Sequence, residues 1–120
     1  MASVHDVENF LKILNAKMMI STPEILFINS RTENTQTLAD LEITVGDQLR
    51  IVKSLTVKQY SSGPLDDDNK HRNLIWWVFG VEVKKKEIYI KISLNELNRS
   101  PICISFHLSK NNLSYPFNNQ

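Results

Sequence analysis

One cysteine, Cys103, stands alone in 120 residues. It cannot form an internal disulfide, and the lack of a Cys cluster gives no sign of zinc. Charge of one sign is also missing. Fourteen Lys and Arg against thirteen Asp and Glu leave a formal net charge of +1, so the chain as a whole has no strong pull on polyanions. Any nucleic-acid contact must come from a local patch, such as Lys84-Lys85-Lys86 with Lys91. No apolar stretch approaches the ~20 residues of a membrane span, and the N-terminus lacks the apolar core of a signal peptide. The expectation is a cytosolic, cytoplasmic protein. No internal repeat or domain boundary is visible, so residues 1–120 read as a single domain, large enough to build one core without staples.

What is present is periodic. Val4–Met18 has the spacing of an amphipathic helix, with Val4, Val7, Phe10, Leu11 and Leu14 on one stripe. Ser3 followed by Asp6 three residues later is a capping signal at its start. Pro23 stops a helical continuation, and Glu24–Ile28 reads as a short strand. Asn34–Leu41 suggests a brief helix, and Thr44 with Asp47 caps another whose apolar stripe is Val45, Leu49, Val52 and Leu55. Ser61–Pro64 reads as a turn. Asp66-Asp67-Asp68-Asn69-Lys70-His71-Arg72 is too polar to pack and reads as an exposed loop. The Asn-rich segment Asn111–Gln120 carries Leu113, Tyr115 and Phe117, which suit a partly ordered, partly docked tail.

Three strand-like runs lie between Ile75 and His107. In Glu87–Ser93 every even position is isoleucine, so Ile88, Ile90 and Ile92 face one way and Tyr89, Lys91 and Ser93 the other. Antiparallel pairing with Ile102–His107 sets Tyr89 opposite His107, Lys91 opposite Ser105 and Ser93 opposite Cys103, with every isoleucine on one side. A hairpin tip at Lys84-Lys85 puts Gly80 across from Tyr89 and Val78 across from Lys91. It sends Trp77 and Phe79 to the isoleucine core and Trp76 to the polar face. Gly80 then leaves room for a ligand's backbone. The fold class is α+β, with N-terminal helices packed on one face of a twisted antiparallel sheet.

The succession Arg31…Asn34…Leu38-x-x-Leu41, Leu55…Tyr60-x-x-Gly63-Pro64-x-Asp66 and Trp77-Val78-Phe79-Gly80 resembles the MqsR-like toxins of type II toxin–antitoxin systems. Glu87–Lys91, Cys103–His107 and Tyr115-Pro116-Phe117 extend the likeness to most of the chain, in the Gly-Pro, Ser-Phe-His branch. The resemblance implies a RelE-like fold, messenger-RNA endonuclease (mRNA interferase) activity, on or off the ribosome, and neutralisation by a cognate antitoxin. It also implies an active-site tyrosine at Tyr89 with Lys91 beside it. Two further positions used by the founding branch, a lysine after the second helix and a glutamine beside the strand tryptophan, hold about Ser62 and Val78 here.

Metal-free RNA cleavage needs a base near the 2′-OH, cations for the phosphorane and an acid for the 5′-oxygen. Tyr89, Lys91 and His107 form the candidate catalytic set, since an imidazole is the side-chain type that trades protons near neutral pH. Arg72, Lys58, Lys84 and Lys85 are candidate phosphate contacts, and Trp76 a candidate base-stacking platform. No cofactor and no metal are expected. Each residue also has a plainer reading. His107 could be a strand-end histidine bonded to a neighbour, Tyr89 and Lys91 a solvated cross-strand pair, Trp76 a cover for a loop, and Lys84–Lys86 a charged hairpin tip. Asp66–Asp68 with His71 could hold a divalent cation or be a solvated turn. Cys103 reads as a small, partly buried residue with no acid–base partners. The alternative to a ribonuclease is a non-catalytic module that binds a protein or RNA partner through the sheet face.

Overall fold

The computed structural model describes residues 1–120. The helix starts are written in short side chains. Ser3 Oγ accepts from the Asp6 N–H at 3.1 Å while the Asp6 carboxylate accepts from the Ser3 N–H at 2.9 Å, which satisfies two first-turn donors at once. Helix α1 (Val4–Ile20) begins there and runs two residues past the predicted Met18. It is followed by strand β1 (Leu26–Phe27) and helix α2 (Thr32–Leu41), which starts two residues before Asn34. Thr44 and Asp47 repeat the reciprocal cap at helix α3 (Val45–Lys53). The predicted apolar stripe needs two corrections. Val45 is 52% exposed, because the first turn projects away from the sheet. Leu55 lies beyond the helix, although it is still buried.

After a 3-10 turn at Val57–Gln59, four strands follow: β2 (Tyr60–Asp66), β3 (Ile75–Val83), β4 (Lys86–Ser93) and β5 (Ile102–Leu108). The fold is α+β, and the five-stranded sheet has the order β1-β5-β4-β3-β2. It is mixed rather than wholly antiparallel, since the two-residue β1 lies parallel to β5. Ser61–Pro64, expected as a turn, is the middle of edge strand β2. Register breaks between Tyr60 and Ser62 and between Ser62 and Leu65 let Pro64 sit there without a ladder N–H. Gly63, at φ 121°, packs so tightly that a Cβ would lie 2.9 Å from the Trp76 carbonyl oxygen.

The helices cover one face. Val7, Phe10, Leu11, Leu14 and Met18 of α1 join Leu41, Val52, Phe79, Val81, Phe106 and the three β4 isoleucines in one core. Phe10 stacks on Trp77 at 4.7 Å between ring centroids, so both Trp77 and Phe79 reach the core side as their parity predicts. No helix is long and apolar enough to cross a membrane.

The β3–β4 hairpin has the predicted register: Gly80 pairs with Tyr89, Val78 with Lys91, and Lys84 and Lys85 take the positive φ of a tight tip. Strand β5 begins as expected, with Tyr89 opposite His107 and Lys91 opposite Ser105, but Ile92 then pairs with Cys103 and Ser93 with Ile102. A bulge at Ile104 inserts one residue and reverses side-chain parity beyond it. Cys103 and not Ile104 therefore fills the core opposite Ile92. Burial pushes the Cys103 thiol far above its ordinary range, which leaves it inert as a nucleophile.

Side chains of α2 close the β5 edge beyond β1. Asn34 donates to the carbonyls of Ile28 and Ile104 and accepts from the Phe106 N–H, and Thr37 Oγ1 accepts from the Leu108 N–H. Asn34 and Thr37 are buried because they stand in for the missing strand.

Candidate functional site

The sheet face opposite the helices is covered at its two ends and open in the middle. At one end the Asp67–Asn73 segment folds down over β3. Asp67 accepts from Arg72 Nε and Nη2 at 2.7 and 2.6 Å and from the backbone N–H groups of Asn69 and Leu74 at 3.0 Å. Its side chain is 1% exposed, whereas Asp66 and Asp68–Arg72 are exposed as the composition suggests, so a single buried carboxylate pins an otherwise solvated loop. The Arg72 pair, ahead of the backbone donors, holds the Asp67 carboxyl far below the usual carboxylate range. No group of three His, Cys, Asp or Glu side chains stands close enough to hold a metal ion.

At the other end the C-terminal tail crosses Gly80. The Glu87 carboxylate accepts from the Leu113 N–H at 3.1 Å and the Tyr115 hydroxyl at 2.7 Å, while Phe117 stacks on Tyr60 at 5.5 Å. A Cβ at Gly80 would lie 2.1 Å from the Tyr115 hydroxyl and 2.7 Å from Leu113. The space above Gly80, expected to receive a ligand, is thus taken by the chain itself. Gly80 is needed because a phenol and a leucine sit where a side chain would be.

Between these covers lies a cleft of about 530 Å³. Tyr89, Lys91 and His107 all line it, as do Arg72 and Trp76. The rings of Tyr89 and His107 stack at 5.3 Å and 14°, placing a phenol and an imidazole side by side on adjacent strands. Burial raises the Tyr89 phenol above its ordinary value, opposed by the Arg31 charge, so at neutral pH it is a hydrogen-bond donor. His107 Nδ1 is 3.0 Å from the Leu108 carbonyl oxygen. Assigned from that acceptor, the proton lies on Nδ1. Nε2 is left facing the cleft, 3.8 Å from Glu33 Oε2. Glu33 is an anion: Lys110, at 3.1 Å, and then His107 hold its carboxyl below the ordinary range.

Trp76 does face the polar side, but it is 1% exposed. The Arg72 guanidinium lies 5.2 Å and the Lys91 ammonium 5.9 Å from its ring centroid, so cations already occupy the indole and no open face remains for a stacked base. Three expected phosphate contacts do not line the cleft. Lys58 is exposed on the 3-10 turn, Lys85 is at the hairpin tip, and Lys84 donates to the Leu41 carbonyl at 2.6 Å, where it caps the end of α2. Of the two positions that depart from the founding toxin branch, Val78 is buried and Ser62 half-buried.

Arg31, Glu33, Ser105 and Lys110 line the cleft but were not expected among its site residues. One signal was available. Arg31 is the N-cap of α2 with no side-chain cap bond, a poor capping residue whose charge opposes the helix dipole. Such a residue calls for another role. Comparison with family models, with curated proteins and with solved structures returned no match.

Proposed function

We propose that this protein is a metal-independent endoribonuclease of the MqsR-like toxin type, on a RelE-like fold, acting on messenger RNA and neutralised by a cognate antitoxin. One observation carries the reading: Tyr89 and His107 stack at the floor of a cleft that also presents Lys91, which has no carboxylate within salt-bridge distance. In this reaction the ribose 2′-oxygen attacks the adjacent phosphorus and the bond to the 5′-oxygen breaks, giving a 2′,3′-cyclic phosphate and a 5′-hydroxyl. His107 Nε2 takes the 2′-OH proton, and Glu33 stabilises the imidazolium that results. Lys91 neutralises the charge that grows on the phosphorane oxygens. The protonated Tyr89 phenol gives its proton to the departing 5′-oxygen as the bond to phosphorus breaks, and the phenolate is reprotonated from solvent while His107 releases the 2′-OH proton to it.

A second reading, a non-catalytic module that binds a protein or RNA partner through the same face, is favoured by the buried Val78 and the occupied Trp76 indole. These remove a polar group and a stacking platform that a nuclease could use. Induction of the wild-type chain, Tyr89→Phe and His107→Ala in cells separates the two. Growth arrest with RNA cleavage for wild type, reduced at least about a hundredfold in His107→Ala, supports the nuclease. Equal cleavage by stably folded variants overturns the site assignment, and a wild type that neither arrests growth nor cuts RNA leaves the binding module.

A further inference from the structure

We propose that Arg31, Ser105 and Lys91 form a phosphodiester subsite, with Arg31 as its forked ligand. The inference deepens the ribonuclease reading and rests on it for the identity of the strand bound. The subsite is built by the β5 bulge. Inserting Ile104 turns its carbonyl outward, where Arg31 Nη1 donates to it at 2.8 Å and to Ser105 Oγ at 3.2 Å. These two bonds hold one corner of the guanidinium against the strand. They leave Nε and Nη2 without a protein acceptor, the pair of donors that meets a phosphate in a bidentate fork. Ser105 is 4% exposed and its hydroxyl accepts from Arg31, so its own proton is free to donate into the cleft. Lys91 is the direct cross-strand partner of Ser105. Three donors, two of them cationic, therefore line the same cleft from adjacent strands and the start of α2.

The neighbouring charges sharpen the assignment. Lys110 and Arg72 are matched by Glu33 and Asp67, whereas neither Arg31 nor Lys91 has a carboxylate partner within salt-bridge distance. The opposing charges are Asp68, which lines the cleft without an ion pair, and Glu33, whose carboxyl is lowered most by Lys110 and in small part by the Arg31 charge. Four cations (Arg31, Arg72, Lys91 and Lys110) against three carboxylates (Glu33, Asp67 and Asp68) leave the cleft a surplus of one positive charge, which with a pre-oriented guanidinium suits the backbone of a single-stranded nucleic acid. A neutral ligand would leave that surplus unmatched.

The test is binding, not cleavage. Full-length protein is titrated with a fluorescent single-stranded RNA hexamer carrying 2′-O-methyl groups throughout, which cannot be cut, at several salt concentrations. Arg31→Gln and Lys91→Gln are each expected to weaken binding about tenfold and to lower the salt slope by about 0.7. Asp68→Asn is expected to tighten it by about two- to threefold, and Lys85→Gln to change it less than twofold. If Arg31→Gln lowers thermal stability, Ser105→Ala replaces it, with a loss of about threefold expected. Binding unaltered in folded Arg31→Gln, losses as large in Lys85→Gln as in Arg31→Gln, or no binding by wild type overturns the subsite. Cleavage assays run separately keep the two claims apart. A wild type that binds through Arg31 but cuts nothing preserves the subsite without the nuclease. One that cuts RNA while Arg31→Gln binds normally does the reverse.

Discussion

The two faces of β4 come from the same eight residues and have opposite fates. On one, Ile88, Ile90 and Ile92 are wholly buried under α1 and its neighbours. On the other, Tyr89 and Lys91 remain half-buried and solvent-facing. The first face is sealed by helices supplied for that purpose. The second has only the Asp67–Asn73 segment at one end and the Leu113–Phe117 tail at the other, and neither reaches the middle. Packing on the helix face determines stability, while the gap between the covers on the opposite face is what makes a site. Substitutions on the two faces should therefore separate stability from function.

The largest effect is expected at Ile90. Ile90→Ala removes wholly buried methyl groups from the middle of the core and should cost about 3 kcal/mol, read as a lower urea midpoint with an unchanged slope. A cost under about 1 kcal/mol would mean that the helix face is not the stabilising one. Next is the Asp67 anchor. Asp67→Ala strips the partner from Arg72 and two backbone N–H groups and should cost about 2 kcal/mol. Because the native carboxyl titrates below the ordinary aspartate value of 3.8, its contribution is complete above that pH. It fades as pH falls from there toward the native value. Urea titrations of wild type and Asp67→Asn should differ most at neutral pH and converge in acid, and a constant gap would show that Asp67 is not acting through its charge.

A smaller effect, about 1–2 kcal/mol, is expected for Gly80→Ala, whose methyl must displace Tyr115 and Leu113. Amide exchange at Leu113 and Asn118, whose N–H groups bond to Glu87 and to the Tyr115 carbonyl, should accelerate more than in β4. If protection of the tail is unchanged, the tail does not depend on the space above Gly80. Smallest is Tyr89→Phe, expected to alter stability by less than about 0.5 kcal/mol while reducing RNA cleavage. A large loss of stability would move Tyr89 from the site to the structural side of the comparison.

Much of the helix face was legible from residue order, because apolar spacing alone puts Ile88, Ile90, Ile92, Trp77 and Phe79 together. Half of the open face was legible too: the alternation that buries the isoleucines necessarily presents Tyr89, Lys91 and His107. Arg31 and Ser105 were harder to see. Their meeting depends on α2 lying along the β5 edge and on one inserted residue at Ile104, and neither leaves a periodic trace. Trp76 went the other way, since its parity is right but a guanidinium from a folded-down loop covers it.

The chain's own pattern therefore determined which residues turn inward, where α1 and α3 start, and the register of the β3–β4 hairpin. These follow from forces acting between near neighbours: side-chain alternation, caps three residues apart and a tight turn. Only the tertiary structure decided the bulge at Ile104, the closing of the β5 edge by Asn34 and Thr37, and the filling of the space above Gly80 by Tyr115. Each joins groups 28 to 70 or more residues apart. Their pairing satisfies buried backbone and carboxylate groups that only the assembled sheet brings together.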